Sequence, residues 1–182
     1  MTIDSSLRDH MLRATPNLRA FAISLTSNVD RADDLVQETL VRAIANIHRF
    51  QPGTNMQAWL FTILRNLFHS EYRKRRREVE DADGKYAATL AVQPAQGAHL
   101  DFDDLQKALA RLPHDQREAL LLVGASGFSY EQAAEICGCA VGTIKSRVNR
   151  ARTRLAELMR LEDLEEELGP DRLTLSALQA VA

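Results

Sequence analysis

The most informative part of this chain is the stretch SYEQAAEICGCAVGTIKSRVNRARTRL, residues 129–155. Ser129 and Gln132 have the spacing of a capping box, in which each side chain accepts a hydrogen bond from the other residue's backbone N–H, so they predict the start of a short helix. Gly138 then provides a residue that takes the positive φ of a sharp helix exit without strain. The stretch therefore predicts two short helices joined by a tight turn.

The second of these helices has one apolar side and several polar ones. Its apolar residues recur at steps of three and four, which predicts one buried stripe, made of Val141, Ile144, Val148, Ala151 and Leu155. The open faces carry cationic and hydrogen-bonding side chains, namely Thr143, Lys145, Ser146, Arg147, Asn149 and Arg150. Such a helix suits the DNA major groove, because Arg and Asn pair with guanine and adenine edges while neighbouring cations meet phosphates. The alternative is a solvated basic helix on a bundle, since arginine-rich exposed faces are common.

Charge is segregated along the chain. The 182 residues carry a net charge of only −2, so affinity for a polyanion has to come from local clusters of positive charge. Basic residues concentrate at 65–77 and 145–160, and acidic residues at 78–104 and 162–171. We therefore expect two basic modules separated by acidic chain, within a length that allows one domain or two small ones.

Several classes of function find no support in the residues. No apolar run approaches the roughly 20 residues of a membrane helix, and the polar start MTIDSSLRDH does not look like a signal peptide, so a cytoplasmic protein without membrane contact is expected. The five histidines are dispersed, and Cys137 and Cys139 fit packed thiols better than a metal or disulfide site. With no phosphate loop or Ser/His/Asp arrangement either, we expect no catalytic residues, metal, cofactor or small-molecule substrate.

Residues 1–77 are predicted to form the first helical module. Pro16 is expected to end a short first helix and Thr15 to cap the next one. Asp30 is the expected cap of a further helix, and the interruption QPGTN at 51–55 precedes another that begins near Met56. The spacing of Trp59 with Ile63 favours core packing for the indole ring over a base-stacking role.

The second module follows a stretch without periodicity. Residues 78–102 carry Gly84, Pro94 and Gly97, which predicts a flexible linker. Residues 103–161 form the second helical module, which contains the helix-turn-helix. Residues 162–182 are an acidic tail whose end fits a short docking helix or frayed chain equally well. The predicted fold class is all-α, with two small helical domains joined by a flexible linker.

Four segments together resemble a group 4, or extracytoplasmic-function, bacterial sigma factor. They are DDLVQETLVRA at 33–43, AWLFTILRN at 58–66, LPHDQREALLL at 112–122 and GTIKSRVNRAR at 142–152. The likeness covers about residues 7–160, in the family's order and spacing. GPDRL at 169–173 further resembles the alphaproteobacterial general-stress members of that family.

The resemblance implies surfaces for core RNA polymerase and for promoter DNA. Polymerase would dock on a helix face that otherwise looks like an ordinary solvated one, made of Asp34, Gln37, Glu38 and Arg42. The non-template strand of the minus-ten element would be held by Arg65, Asn66, Arg73 and Arg76. The loop at 50–57 would take a base turned out of the stack, and the basic helix at 143–150 would read the upstream, minus-thirty-five element. An anti-sigma factor is the further partner that the family implies.

Two other functions remain compatible with the residues. One is a sigma-like decoy that sequesters an anti-sigma factor without supporting transcription. Regulators of that kind in the family carry a fused phosphoacceptor receiver, and the absence of receiver-like β/α alternation from this sequence favours a true factor. The other is a stand-alone helix-turn-helix repressor.

Overall fold

The computed structural model describes residues 4–81 and 100–159, and within those two ranges every regular element is helical. The predicted all-α class is confirmed. The α-helices of the described ranges are α1 (Ser5–Thr26), α2 (Val29–Ala45), α3 (Met56–Asp81), α4 (Leu100–Ala110), α5 (His114–Leu120), α6 (Tyr130–Cys137) and α7 (Val141–Met159). Helices α1 to α3 belong to one compact unit, and α4 to α7 belong to a second.

α1 is one continuous helix, so the predicted break before Pro16 and the predicted cap at Thr15 are wrong. Pro16 has no N–H to donate to the carbonyl of Leu12, but its own side chain is exposed. The buried stripe of the helix runs past it without interruption, through Met11, Ala14, Leu18, Phe21 and Leu25. Burial of that stripe outweighs the cost of the proline. Thr15 Oγ1 donates to the carbonyl oxygen of Met11 at 2.9 Å, inside the helix.

α2 begins at Val29 and is capped by Asn28 instead of the predicted Asp30. Asn28 Oδ1 accepts from the backbone N–H of Arg31 at 2.8 Å. Asp30 lies in the first turn, where its negative charge favours the positive end of the helix dipole. Ile44 has a spacing that also fits the apolar side of this helix, but its side chain is 44% exposed.

The first unit is held together by an apolar core, and an exposed ion pair links two of its helices. The rings of Phe21 on α1 and Phe61 on α3 have centroids 5.0 Å apart. Arg19 on α1 meets Asp33 on α2 through two hydrogen bonds, Nε to Oδ1 at 2.7 Å and Nη2 to Oδ2 at 3.2 Å. The hydrogen bond from Arg19 lowers the pKa of Asp33, and the positive charge of the guanidinium adds to the effect. This exposed pair links α1 to α2.

α3 begins at Met56 as predicted and continues to Asp81. Since α4 begins at Leu100, both helices extend into the 78–102 range that was predicted as linker. The remainder of that range lies outside the described residues, and so does the predicted tail at 162–182 with its GPDRL motif.

The second unit packs around α7, which contacts α4, α5 and α6. Its fully buried side chains include Leu122, Ile144 and Val148. A π-helical turn continues α5, with the Ser126 N–H donating to the Leu121 carbonyl at 2.9 Å. These contacts hold α7 by one side and leave the opposite side open.

Candidate nucleic-acid interface

The helix-turn-helix forms as the sequence predicts. Ser129 Oγ accepts from the Gln132 N–H at 3.1 Å, and Gln132 Oε1 accepts from the Ser129 N–H at 3.0 Å, which completes the capping box of α6. Gly138 ends α6 with φ of +63°, in the left-handed region. α7 starts at Val141, so the turn between the helices is short. The capping box and the glycine turn therefore join α6 closely to α7.

α7 presents most of the predicted DNA-binding side chains to solvent. Ile144, Val148 and Ala151 are buried, as the apolar stripe predicts, whereas Val141 and Leu155 at its two ends are only half-buried. Lys145, Ser146, Asn149 and Arg150 are exposed, and Thr143 is half-buried. The exposed four alternate at steps of three and four, so they form one open strip on the helix. Below, α7 is called the recognition helix.

Lys145 lies close to α6, the first helix of the helix-turn-helix. Its Nζ lies 5.8 Å from the ring centroid of Tyr130, within the range of a cation–π contact. The pKa of Glu131 is lowered by a hydrogen bond from its own backbone N–H, by the Ser129 hydroxyl and by the charge of Lys145. The ammonium group therefore lies near Tyr130 and Glu131 of α6.

Arg147 stands apart from the other predicted DNA-binding residues. Its Nε lies 3.2 Å from Asp115 Oδ2, and its side chain is only 25% exposed. Nη1 is 3.9 Å from the sulfur of Cys139, which is half-buried at the turn between α6 and α7. The guanidinium therefore joins α7 to α5 and to the turn.

The predicted minus-ten residues lie along α3. Asn66 and Arg73 are exposed about two helical turns apart, so they share one face, and Arg65 beside them is half-buried. Arg73 Nε donates to the His69 carbonyl at 3.3 Å, which keeps the side chain close to its own helix. Arg76 belongs to α3, but its side chain lies outside the described set.

The loop at 50–57 has a defined backbone. Gly53 takes φ of +88°, and Thr54 Oγ1 donates to the Gln51 carbonyl at 2.7 Å, so the chain turns sharply before α3. Asn55 Oδ1 accepts from the Ala58 N–H at 3.2 Å and caps that helix. The loop is anchored at its start by buried Phe50, whose ring centroid is 5.3 Å from that of Trp59. Trp59 itself is half-buried.

The predicted polymerase-binding residues share the solvent side of α2. All are exposed, namely Asp34, Gln37, Glu38 and Arg42. Glu38 Oε1 accepts from Arg42 Nε at 2.7 Å, one turn along the helix. The structure adds two apolar side chains to this face, Val41 at 61% and Ile44 at 44% exposure. No pattern in the sequence indicates that Ile44 is exposed, because its spacing also fits the buried stripe.

Among the described residues, no helix combines the length and the apolar character needed to cross a membrane.

Family comparisons match both units. Residues 11–78 match the family described as Sigma-70 region 2, and residues 102–155 match Sigma-70, region 4. The first match covers most of α1 to α3, and the second runs from α4 into the recognition helix.

Named relatives agree with the family matches. The chain is 70% identical over 171 residues to the ECF RNA polymerase sigma factor EcfG of Rhodopseudomonas palustris (strain TIE-1), which covers 94% of each chain. It is 40% identical over 154 residues to the ECF RNA polymerase sigma factor SigC of Mycobacterium tuberculosis (strain CDC 1551 / Oshkosh), covering 84% of this chain and 78% of the relative.

A solved structure agrees as well. The sigma factor RpoE of Bartonella quintana, solved in complex with the anti-sigma factor NepR, is similar with a TM-score of 0.77 and 58% identity. The match covers 85% of this chain and 97% of that one. With two family matches in the expected order and relatives aligned over most of their length, the chain belongs to the extracytoplasmic-function sigma factors of bacterial RNA polymerase, of the alphaproteobacterial stress-response type.

Proposed function

We propose that this sigma factor directs core RNA polymerase to promoters of stress-response genes, with the work divided along the chain. Residues 1–77 bind polymerase and the minus-ten element, residues 103–161 read the minus-thirty-five element, residues 78–102 connect them, and residues 162–182 form an acidic tail. The chain acts in the cytoplasm without a cofactor. It is not itself an enzyme, since polymerase supplies the catalysis.

The open strip of the recognition helix carries this proposal. Asn149 and Arg150 have the side chains that pair with base edges, and Lys145 has a charge suited to a phosphate. Their exposure on a helix whose opposite side is buried supports docking in a major groove. We assign Thr143 and Ser146 to the same DNA-binding strip. Arg147 supports the position of the recognition helix through its ion pair with Asp115.

On the first unit we assign the minus-ten contacts to α3 and to the loop before it. Arg65, Asn66, Arg73 and Arg76 hold the non-template strand, while the 50–57 loop receives a base turned out of the stack. The exposure of Asn66 and Arg73 on one face supports this assignment. Extruding a base costs a few kcal/mol, which stacking and edge contacts offset.

Polymerase docks on the exposed face of α2. Val41 and Ile44 beside the Glu38–Arg42 pair support a protein partner, because the centre of a protein interface is apolar and its rim is charged.

We further propose that the chain is regulated by an anti-sigma factor similar to NepR. Support comes from the Bartonella quintana sigma factor, which is 58% identical and was solved in complex with that protein.

Run-off transcription with purified core polymerase tests the proposal. Genomic fragments serve as templates, and core polymerase alone is the control. A sigma factor yields discrete transcripts that core polymerase alone does not make. A decoy yields none but restores transcription by another sigma factor when an anti-sigma factor is present. A stand-alone repressor yields none and binds promoter duplex in the absence of polymerase.

A further inference from the structure

Tyr130, the first residue of α6, faces the recognition helix with its ring. The Nζ of Lys145 lies 5.8 Å from the centroid of that ring, within the roughly 6 Å over which a cation–π attraction acts. Tyr130 is half-buried and Lys145 is exposed. Tyr130 is not among the DNA-binding residues that the sequence predicts, so this contact links a further residue, on a different helix, to the DNA-binding strip.

The backbones that carry the two side chains are both fixed. Tyr130 lies between the two residues of the capping box, Ser129 and Gln132, whose reciprocal hydrogen bonds restrain the first turn of α6. Lys145 follows Ile144, which is completely buried and anchors the first turns of α7. The mobile part of the arrangement is therefore the lysine side chain, which has a flexible four-carbon stem.

The ring of Tyr130 is a suitable neighbour for an ammonium group that has to meet a phosphate. Holding a lysine side chain in one place costs rotamer entropy. The face of an aromatic ring attracts the ammonium without accepting its hydrogen bonds in the way a carboxylate does, so the N–H donors of Lys145 stay available for phosphate oxygens.

Glu131 is the carboxylate beside this contact. Its pKa is lowered by a hydrogen bond from its own backbone N–H, then by the Ser129 side chain, and by the charge of Lys145 only after these. The carboxylate is thus held mainly by the first turn of α6. The ring of Tyr130 remains the neighbour that can orient Lys145 without competing with DNA for its charge.

We propose that Tyr130 is a positioning residue for the phosphate contact of Lys145. The ring holds the ammonium beside the recognition helix before DNA is bound, so less side-chain entropy is lost when the ammonium meets the DNA backbone. This inference rests on the role of Lys145 in the proposed function, and it adds a residue of α6 that acts through that lysine.

The first test observes the contact in the free full-length chain, without DNA. Protons above an aromatic ring resonate upfield, so the ε-methylene signal of Lys145 should lie upfield of that of Lys107, an exposed lysine on α4. Its disappearance from the proton–carbon NMR spectrum of Lys145→Gln assigns the signal. Tyr130→Phe should keep the upfield shift, and Tyr130→Leu should abolish it. Coincident signals of Lys145 and Lys107 in the parent would overturn the contact.

The second test measures binding of holoenzyme to a duplex with the minus-thirty-five element of a promoter found by run-off transcription. Tyr130→Leu is expected to weaken binding by about two- to fivefold, which corresponds to the loss of one cation–π contact at an exposed site. The loss should be equal for matched and single-substituted elements, because a phosphate contact carries no base sequence information. Tyr130→Phe is the matched control, since it keeps the ring face, and it should bind as the parent does.

A double-mutant cycle separates positioning from packing of α6. Lys145→Gln removes the charge, so Tyr130→Leu should have no further effect on DNA binding in that background. The same loss in both backgrounds would show that Tyr130 acts independently of Lys145, and this would overturn the proposal. A loss in Tyr130→Phe as large as that in Tyr130→Leu would also overturn it, because the hydroxyl group would then be the part that matters.

These measurements distinguish failure of the inference from failure of the function on which it rests. Holoenzyme that binds the duplex better than core polymerase, with Tyr130→Leu weakened only when Lys145 is present, supports the positioning role. Holoenzyme that binds well while Tyr130→Leu or Lys145→Gln binds like the parent overturns that role and leaves the proposed function standing. Holoenzyme that binds no better than core polymerase overturns both.

Discussion

Arg147 Nε on the recognition helix lies 3.2 Å from Asp115 Oδ2 on α5, and the arginine side chain is largely shielded from solvent. Its Nη1 also contacts the sulfur of Cys139 at the turn. An arginine on a DNA-reading helix is usually expected to meet DNA. Here its contacts run inward, so we infer that it fixes the angle of the recognition helix.

The Arg147–Asp115 pair leads us to predict how removing the Asp115 carboxylate changes DNA binding. Removing a carboxylate near DNA normally strengthens binding by reducing repulsion. If the pair is a brace, Asp115→Ala weakens binding of holoenzyme to promoter DNA, as Arg147→Ala does, and both leave the salt slope nearly unchanged. Titrations at several salt concentrations measure both quantities. Tighter binding by Asp115→Ala, together with a slope reduced by about one for Arg147→Ala, would instead make Arg147 a phosphate contact.

Alanine substitutions at Arg150 and at Lys145 are expected to weaken DNA binding in different ways. Arg150→Ala should cost about 1–3 kcal/mol of binding and relax discrimination at one base pair of the minus-thirty-five element, because a bidentate base contact is lost. Lys145→Ala should weaken all sequences alike and lower the salt slope by about one. Affinities for matched and single-substituted elements give the comparison. If Arg150→Ala loses the same affinity for matched and single-substituted elements, Arg150 does not contact a base.

Charge reversal at Glu38 tests whether the exposed face of α2 binds polymerase. Glu38→Lys reverses an exposed charge and breaks the pair with Arg42, so holoenzyme assembly should fall while the helical fold stays intact. Size-exclusion chromatography with core polymerase measures assembly, and circular dichroism monitors the fold. Asp9→Lys, an equal charge reversal on exposed α1, is the control. Assembly of Glu38→Lys at the parental level would show that the docking face lies elsewhere.

Alanine substitution at two glycines of the helix-turn-helix should change the free energy of unfolding in opposite directions. Gly138 has φ of +63°, and a Cβ added there would meet open space, so Gly138→Ala carries only the backbone cost, about 1–2 kcal/mol. Gly142 lies within α7 without positive φ and also has open space, so Gly142→Ala should stabilise by up to about 1 kcal/mol. Urea unfolding followed by circular dichroism gives both values. A stabilising Gly138→Ala would contradict the left-handed turn.

Local signals in the sequence predicted the second unit well. The Ser129–Gln132 capping box, the turn at Gly138 and the buried stripe of the recognition helix depend on neighbours within a few residues, so each is visible in the chain itself. The exposed face of α2 was likewise assigned from the order of its side chains.

The errors arose where tertiary packing decides between local alternatives. Pro16 is a helix breaker by local rules, but the apolar stripe on either side of it is buried continuously and keeps α1 whole. Asp30 and Asn28 are both good caps by local rules, so the local signal does not decide between them, and the helix uses Asn28. The partner of Arg147 lies on α5, far from it in the sequence, so no local pattern could reveal it.

We infer that two DNA-binding modules act together once polymerase holds them. Each module has only a small cluster of basic residues, and acidic chain is tethered to both, so the free protein should bind promoter duplex weakly. On polymerase the second contact becomes intramolecular and gains effective concentration, which typically raises avidity by about 10²–10⁴. Gel-shift titrations of free chain and holoenzyme on one promoter duplex, at one salt concentration, measure this directly. We expect holoenzyme to bind at least about 100-fold more tightly than the free chain. A free chain that binds as tightly as its holoenzyme would contradict the account and favour a stand-alone helix-turn-helix regulator.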